Sequence, residues 1–268
     1  MRRAFVVWKR EWAETIKNKT LMLMMTLMPM IMVGAPFLYI SIILRLVKDP
    51  TVSEGGFFQR AIDSFVSANP NMATLESFEL FQIILFKQGV FFLLMITIMV
   101  GMSIATFGII GEKQNRSLEP LLASPVKTWE LLVGKVLAAA VPALVMTWLC
   151  SLLYMGGVYA YNAELFPLIV DSTWIIIMLF ISPAVALLSL GLGVIISSRS
   201  NDPRSAQNWG VFLILPVLFI IIGPIVGTFP ISLTSLLVIA FVFTALTIAV
   251  FYFGVKIFNR DAILTKWR

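Results

Sequence analysis

The sequence predicts an all-α, polytopic membrane protein with six transmembrane helices. Of its 268 residues, 59% are hydrophobic and only 13% are charged, a balance more apolar than the core of a soluble domain requires. Uncharged runs of roughly 20 residues or more, enough to cross about 30 Å of hydrocarbon, recur along the chain. The last run, residues 205–255, would reach about twice the bilayer thickness, so it must turn back.

Each uncharged run is interpreted as one span, and the last run is split near Gly223-Pro224 and Pro230, where helix-breaking residues cluster. The predicted spans cover residues 20–44, 88–111, 136–160, 172–198, 206–226 and 233–255. Prolines within the runs, among them Pro183, free backbone carbonyls and predict bends. We expect a single transmembrane domain over residues 1–268.

The distribution of Lys and Arg predicts that both termini are cytoplasmic, because positive charges are retained on the cytoplasmic side of short loops. With the N-terminus inside, most of the 20 Lys and Arg residues fall on that side. The exceptions are Arg45, Lys48, Arg60 and Lys87. The net charge of +6 suits anionic headgroups at the inner leaflet, and no nucleic-acid partner is inferred from it.

Residues 1–19 are predicted to form an interfacial helix. Its aromatic and aliphatic residues recur at three- and four-residue spacing and share one face, which suits the headgroup plane; they are Phe5, Trp8, Trp12 and Ile16. This helix is either a topological anchor or, in addition, a contact for a cytoplasmic partner.

Residues 45–87 are predicted to be an extracytoplasmic insert with two helical patterns, separated by Asn69-Pro70. Phe57, Phe58 and Phe65 lie on the apolar face of the first pattern, and Phe78 and Phe81 enrich the second. The insert is either a packed cap on the spans or a gate at an exit.

Several functional groups are absent from the sequence. There is no histidine, and the predicted spans contain no Asp, Glu, Lys or Arg, which disfavours proton relays and cation sites inside the membrane. The single cysteine, Cys150, cannot form an intrachain disulfide. No Gly-x-x-x-x-Gly-Lys-Ser/Thr phosphate loop occurs, so the chain is not expected to hydrolyse ATP. We therefore assign no catalytic, cofactor-binding or metal-ligating residue and expect a non-enzymatic protein.

One polar stretch, residues 112–135, is predicted to form a cytoplasmic loop between the second and third spans. It is interpreted as two short amphipathic helices broken at Ser124-Pro125, a favourable N-cap and first-turn pair. Its glutamates offer charges to a basic groove on a soluble partner. The alternative is a charged loop that is solvated by the cytosol.

This stretch resembles the loop between the second and third spans of ABC type-2 transporter permeases, the membrane-spanning subunits of ABC exporters. In that family the loop commonly carries an acidic pair, Gly-Thr-Leu-Glu, Leu-Leu, a small residue with Pro-Val, and a terminal Gly-Lys. This chain has Arg116-Ser117 in place of Gly-Thr. The resemblance implies an ATPase-coupling interface, which contains Glu112, Ser117, Leu118, Glu119, Leu121, Leu122, Pro125, Trp129, Glu130, Leu131, Leu132, Gly134 and Lys135.

The resemblance also implies the assembly. We expect two copies of a cytoplasmic ABC ATPase that binds ATP and Mg, and a second permease chain that is identical or a sister. We expect the complex in the plasma or inner membrane of a bacterium or archaeon. Small residues at four-residue spacing permit close helix approach, either between the two permeases or within one of them; they are Gly101 with Ala105, and Ser189 with Gly193 and Ser197.

The function predicted from these features is ATP-driven export of an apolar or amphipathic substrate. An ion-coupled secondary transporter or a channel is the alternative, which the uncharged spans disfavour. An intramembrane enzyme ranks last, because the spans offer no acid or base pair.

Overall fold

The computed structural model describes residues 19–46, 57–114, 128–200, 202–226 and 233–257, and these ranges contain helices and no strand. The helices are α1 (Lys19–Leu46), α2 (Phe57–Ala68), α3 (Ser77–Gln114), α4 (Thr128–Tyr161), α5 (Phe166–Ile169), α6 (Ser172–Arg199), α7 (Pro203–Asn208), α8 (Val211–Val226) and α9 (Leu233–Ile257). The predicted interfacial helix at residues 1–19 lies almost entirely outside the described residues.

Within these ranges, α1, α3, α4, α6 and α9 are long and apolar enough to cross a membrane. The predicted fifth span, residues 206–226, is instead divided between α7 and α8. At 16 residues, α8 is about 24 Å long, which is shorter than the hydrocarbon core. The structure therefore supports a polytopic helical protein with five candidate spans, and the predicted count of six stays a prediction.

Helix α3 forms the centre of the bundle. Its side chains are mostly buried, and α1, α4 and α6 pack around it. Most of the surface of α1 and α9 is exposed in the single chain, with large apolar side chains such as Leu38 and Phe241 on the outside. Exposed apolar surface of this kind is expected on helices that face lipid.

Small residues bring α3 and α6 together. A Cβ at Gly101 would overlap the Ser189 hydroxyl, and a Cβ at Gly193 would lie 2.7 Å from the Ala105 Cβ. The two small-residue patterns found in the sequence therefore meet each other within one chain. In a bilayer the hydrophobic effect does not drive helices together, because lipid is as apolar as their surfaces. Close approach of the backbones stabilises the helix pair through van der Waals contacts instead.

The second helical pattern of the predicted insert is not a separate helix. It is the first part of α3, which begins at Ser77 and is 38 residues long, or about 57 Å. A helix of that length exceeds the hydrocarbon core, so α3 extends beyond the bilayer. Its first turns pack on α2 through a small cluster of Ile62, Leu80, Phe81 and Ile84.

Helix α6 contains a π-helical turn at Ile177–Ile181, directly before Ser182-Pro183. Proline has no backbone N–H, so the Met178 carbonyl loses the donor that an i→i+5 bond would supply. Side chains replace it: Ser182 Oγ donates to this carbonyl at 2.6 Å and Trp148 Nε1 donates at 3.1 Å. A π-turn thus directly precedes Pro183, where the sequence predicts a bend.

Candidate functional site

The candidate site is the base of the polar stretch, where the ends of α3, α4 and α6 meet. Six of the predicted coupling residues lie outside the described residues: Ser117, Leu118, Glu119, Leu121, Leu122 and Pro125. A further five belong to the first turns of α4, of which the structure describes the helical backbone: Trp129, Glu130, Leu131, Leu132 and Gly134. Part of the predicted second amphipathic helix is therefore continuous with the following span. The coupling helix itself stays a prediction.

Glu112 and Lys135, the first and last residues of the stretch, form a buried ion pair. The Lys135 Nζ lies 2.6 Å from the Glu112 Oε1, and each side chain is only 5% exposed. Glu112 is in the last turn of α3 and Lys135 is in the third turn of α4, so the pair joins the two helices at the point where the stretch leaves and returns. A charge at this depth is tolerated only when it is paired and hydrogen-bonded.

The buried ion pair divides the predicted interface residues into two groups, the two ends of the stretch and the residues between them. Glu112 and Lys135 lie inside the bundle, against each other, and they fix the separation of the two ends of the stretch. Any contact with a soluble partner would then be made mainly by the residues between them. The assignment of all of these residues to an ATPase interface stays a prediction.

Lys113, the next residue, contacts a third helix. Its Nζ donates to the Ser198 carbonyl at 2.6 Å and to the Ser200 carbonyl at 2.9 Å, and the side chain is 6% exposed. These carbonyls lie at the C-terminal end of α6, where the last carbonyls of a helix lack intrahelical donors and carry the negative end of the dipole. Sequence reasoning missed this role, since a lysine next to a predicted loop gives no sign of burial.

The turn that follows α6 is also held in place. Asp202 caps α7 by accepting hydrogen bonds from the Ser205 backbone N–H at 2.9 Å and from its hydroxyl at 3.0 Å. At the other end of α7, Gln207 Nε2 donates to the Ser103 hydroxyl of α3 at 3.1 Å. The predicted cytoplasmic ends of α3, α4, α6 and α7 are thus joined by polar contacts.

Between the helix ends, the described spans are connected by neutral hydrogen bonds. The hydroxyls of Thr97 in α3 and Thr147 in α4 lie 2.9 Å apart. The Thr247 hydroxyl of α9 donates to a carbonyl of α6 at 3.1 Å, and the Tyr154 hydroxyl donates to a carbonyl of α3 at 3.1 Å. These bonds satisfy buried polar groups and add specificity to apolar packing.

A second ion pair lies towards the opposite end of α3. The Lys87 Nζ is 2.6 Å from the Asp171 carboxylate, and Asp171 also caps α6 by accepting from the Trp174 backbone N–H. Lys87 lies in addition over the ring of Phe65 in α2, at 5.8 Å. From Lys87 to Glu112, α3 rises about 38 Å, close to the thickness of a bilayer with its interfaces. The two ion pairs are therefore spaced like the two surfaces of a membrane.

Long apolar helices with ionic contacts at both ends define a polytopic α-helical membrane protein. A family model described as "ABC-2 family transporter protein" matches residues 5–235, and the chain belongs to this family. The resemblance that the polar stretch indicated is thereby confirmed at the level of the family.

Similar curated proteins carry the name "Probable multidrug ABC transporter permease YbhR", one from Escherichia coli K12 and one from Escherichia coli O157:H7. Each is 28% identical to this chain over 131 residues, which is 48% of this chain and 32% of the relative. The match thus spans about a third of the length of these relatives.

Proposed function

We propose that this protein is the membrane-spanning permease subunit of an ABC exporter, which moves an apolar or amphipathic substrate with energy from ATP hydrolysis on a separate ATPase. The observation that carries this proposal is the polar stretch between α3 and α4, whose ends are joined by a buried ion pair inside a chain of the ABC-2 family. A loop with a fixed base transmits a push to two spans at once. The chain brings no phosphate loop of its own, so the push has to come from a partner.

The partner proposed is a cytoplasmic ABC ATPase, present in two copies and holding ATP and Mg. Residues 117–132 of the stretch would enter a groove on it, and the exposed apolar surface of the bundle would meet a second permease chain and lipid. The proposed location is the plasma or inner membrane of a bacterium or archaeon, in keeping with the distribution of Lys and Arg.

The substrate class is proposed from the spans. The described spans contain hydrogen bonds of Thr, Ser, Tyr and Trp side chains, and they contain no ion pair between the levels of Lys87 and Glu112. A path lined in this way suits an apolar or amphipathic molecule better than a bare ion. The word "multidrug" in the name of the YbhR relatives is in keeping with that class.

Reconstitution tests the proposal. The chain and its co-purified ATPase are placed in proteoliposomes, and movement of ethidium, a lipophilic cation, is followed by fluorescence. We expect transport with ATP and none with an ion gradient alone. Ethidium movement by the chain without the ATPase, driven by a proton or sodium gradient, would instead establish the ion-coupled alternative.

Charge reversal tests the contact. Glu119→Arg or Glu130→Arg is expected to abolish ATP-driven transport while membrane insertion is retained, because each reverses a charge offered to the ATPase. Glu164→Arg is the matched control, since Glu164 is exposed in the turn after α4, at the end of the bundle remote from the stretch. Full transport by both stretch variants would remove the stretch from the mechanism.

Replacing Leu121, Leu122, Leu131 and Leu132 by Asp tests docking separately. We expect the ATPase to be lost from the purified complex, which a pull-down with a tagged chain would detect. Retention of the ATPase at wild-type stoichiometry would place the contact elsewhere.

A further inference from the structure

Lys113 and Glu112 are neighbours in the last turn of α3, yet they contact different helices. Successive residues of an α-helix point about 100° apart, so adjacent side chains reach different neighbours. Glu112 reaches Lys135 in α4, and Lys113 reaches the carbonyls of Ser198 and Ser200 at the end of α6. One helical turn of α3 is therefore the junction of three helix ends.

The bonds of Lys113 are difficult to break. Its ammonium group is buried, and hydrogen bonds to a charged donor are about twice as strong as neutral ones. If the ends of α3 and α6 separated, a buried cation and two helix carbonyls would lose these contacts in a setting that water hardly reaches. The two ends are consequently expected to move as one body.

We propose that Lys113 is a positioning residue for energy coupling, which carries a displacement of the polar stretch from the end of α3 to the end of α6. This role rests on the proposed function, because the displacement is supplied by the ATPase. Nothing in the sequence patterns singles out Lys113, and its assignment comes from its two carbonyl contacts.

The displacement would continue into the next connection. The Ser200 hydroxyl donates to the Asp202 carbonyl at 3.0 Å, and Asp202 caps α7. Helix α7 is bound in turn to α3 through Gln207 and Ser103. Lys113 therefore closes a ring of contacts from α3 through α6 and α7 back to α3, so that a push on the stretch reaches α6 without first deforming the apolar packing above.

Coupling is measured on the reconstituted complex of chain and ATPase, with ethidium transport and ATP hydrolysis recorded in the same vesicles. In Lys113→Met we expect ethidium moved per ATP hydrolysed to fall about two- to thirtyfold, the range found for residues in coupling networks, with ATPase stoichiometry and basal hydrolysis unchanged. Lys113→Arg restores donors to both carbonyls and should recover transport. Arg199→Met is the matched control: it removes an exposed cation from the last turn of α6 and should behave as wild type.

A distance measurement gives a readout that a purely structural role would not change. Spin labels are placed at the exposed Gln114 of α3 and at the exposed Arg199 in the last turn of α6, in a background with Cys150→Ala. In the wild-type complex their separation should stay constant between the nucleotide-free state and the state trapped with ATP and vanadate. In Lys113→Met it should change on trapping, because the end of α3 then moves without α6.

The outcomes separate the two proposals. If the wild-type chain binds no ATPase, the proposed function fails and the role of Lys113 fails with it. If the wild-type complex couples normally but Lys113→Met transports and traps like wild type, only the role of Lys113 is overturned. A wild-type label separation that changes by about 5 Å, one helical turn, would likewise overturn it. Should Lys113→Met not accumulate, Lys113→Gln, which keeps a shorter amide donor, decides by the same readouts.

Discussion

Breaking the ion pair between Glu112 and Lys135 is expected to destabilise the whole bundle. The charges are separated by 2.6 Å, and with an effective dielectric constant of about 20 their attraction is on the order of 6 kcal/mol. Desolvation offsets much of this attraction, but removing one partner from a buried pair still costs about 3–5 kcal/mol, because the remaining charge stays buried. Both side chains are 5% exposed, so solvent screening reduces this figure little.

The perturbation is Lys135→Met, which keeps the length of the side chain and removes the charge. A loss of 3–5 kcal/mol corresponds to a decrease of roughly 10 °C in Tm for a chain of this size. Size-exclusion chromatography after heating, in detergent, gives the apparent Tm. The control is Lys19→Met at the exposed start of α1, where a surface substitution should change stability by no more than about 0.5 kcal/mol.

The double variant Glu112→Gln with Lys135→Met distinguishes pairing from packing. If the pair is the cause, neutralising both partners should recover much of the loss, since two neutral groups of similar shape can replace a buried ion pair at little cost. Lys135→Met as stable as wild type would refute the reasoning. So would a double variant whose loss equals the sum of the two single losses.

Three further substitutions test the packing of the spans through the same apparent Tm. Gly193→Ala should lower stability by about 1–3 kcal/mol, because the new Cβ would lie 2.7 Å from an alanine Cβ of α3. In the control Gly156→Ala the new Cβ meets nothing within 4 Å, so the variant should be neutral or slightly stabilising. The same Tm change in both variants would contradict the close packing of α3 and α6. Gln88→Met should raise stability by about 1 kcal/mol, since the buried Oε1 of Gln88 has no hydrogen-bond partner among the described residues, and a lower Tm would contradict this. Tyr154→Phe should lower stability by about 1 kcal/mol, because it removes the hydrogen bond to a carbonyl of α3. Tyr159→Phe, at an exposed tyrosine, should leave the Tm unchanged, and an equal Tm in the two variants would show that this hydrogen bond does not stabilise the bundle.

The composition of the sequence was sufficient to predict the class of fold. Charged side chains are costly to place in hydrocarbon, so long uncharged runs predict spans. Each of α1, α3, α4, α6 and α9 contains one such run. The helix ends were less predictable. Residues 77–87 carry the charges Glu79 and Lys87, which suggested a segment outside the membrane, and the helix nevertheless continues through them because no proline or glycine interrupts it there.

The candidate site was predictable in part. Residue types in the polar stretch identified the family, which the family model confirmed. Burial was not predictable, since Glu112 and Lys135 are far apart in sequence and a charged side chain next to a loop is usually solvated. For the same reason, the bonds between Lys113 and the end of α6 could not be predicted from the residue pattern. The pattern of small residues predicted close helix contact, but only the structure pairs Gly101 with Ser189 in the same chain.

The distribution of strong and weak contacts predicts where this protein deforms. Among the described residues, the buried and half-buried ion pairs lie near the two ends of the span formed by α3, and each joins two or more helices. Between them the described spans are linked by neutral hydrogen bonds, each worth about 0.5–1.5 kcal/mol, and by apolar packing that slides more readily than a buried charge separates. A push at the base of the polar stretch should therefore leave the helix ends intact and be taken up at mid-membrane. The π-turn at Ile177–Ile181 lies between the two ion pairs, and its Met178 carbonyl depends on side-chain donors from Ser182 and Trp148. Trp148→Phe, which removes one of these donors and keeps an aromatic ring, should thus alter transport more than it alters Tm.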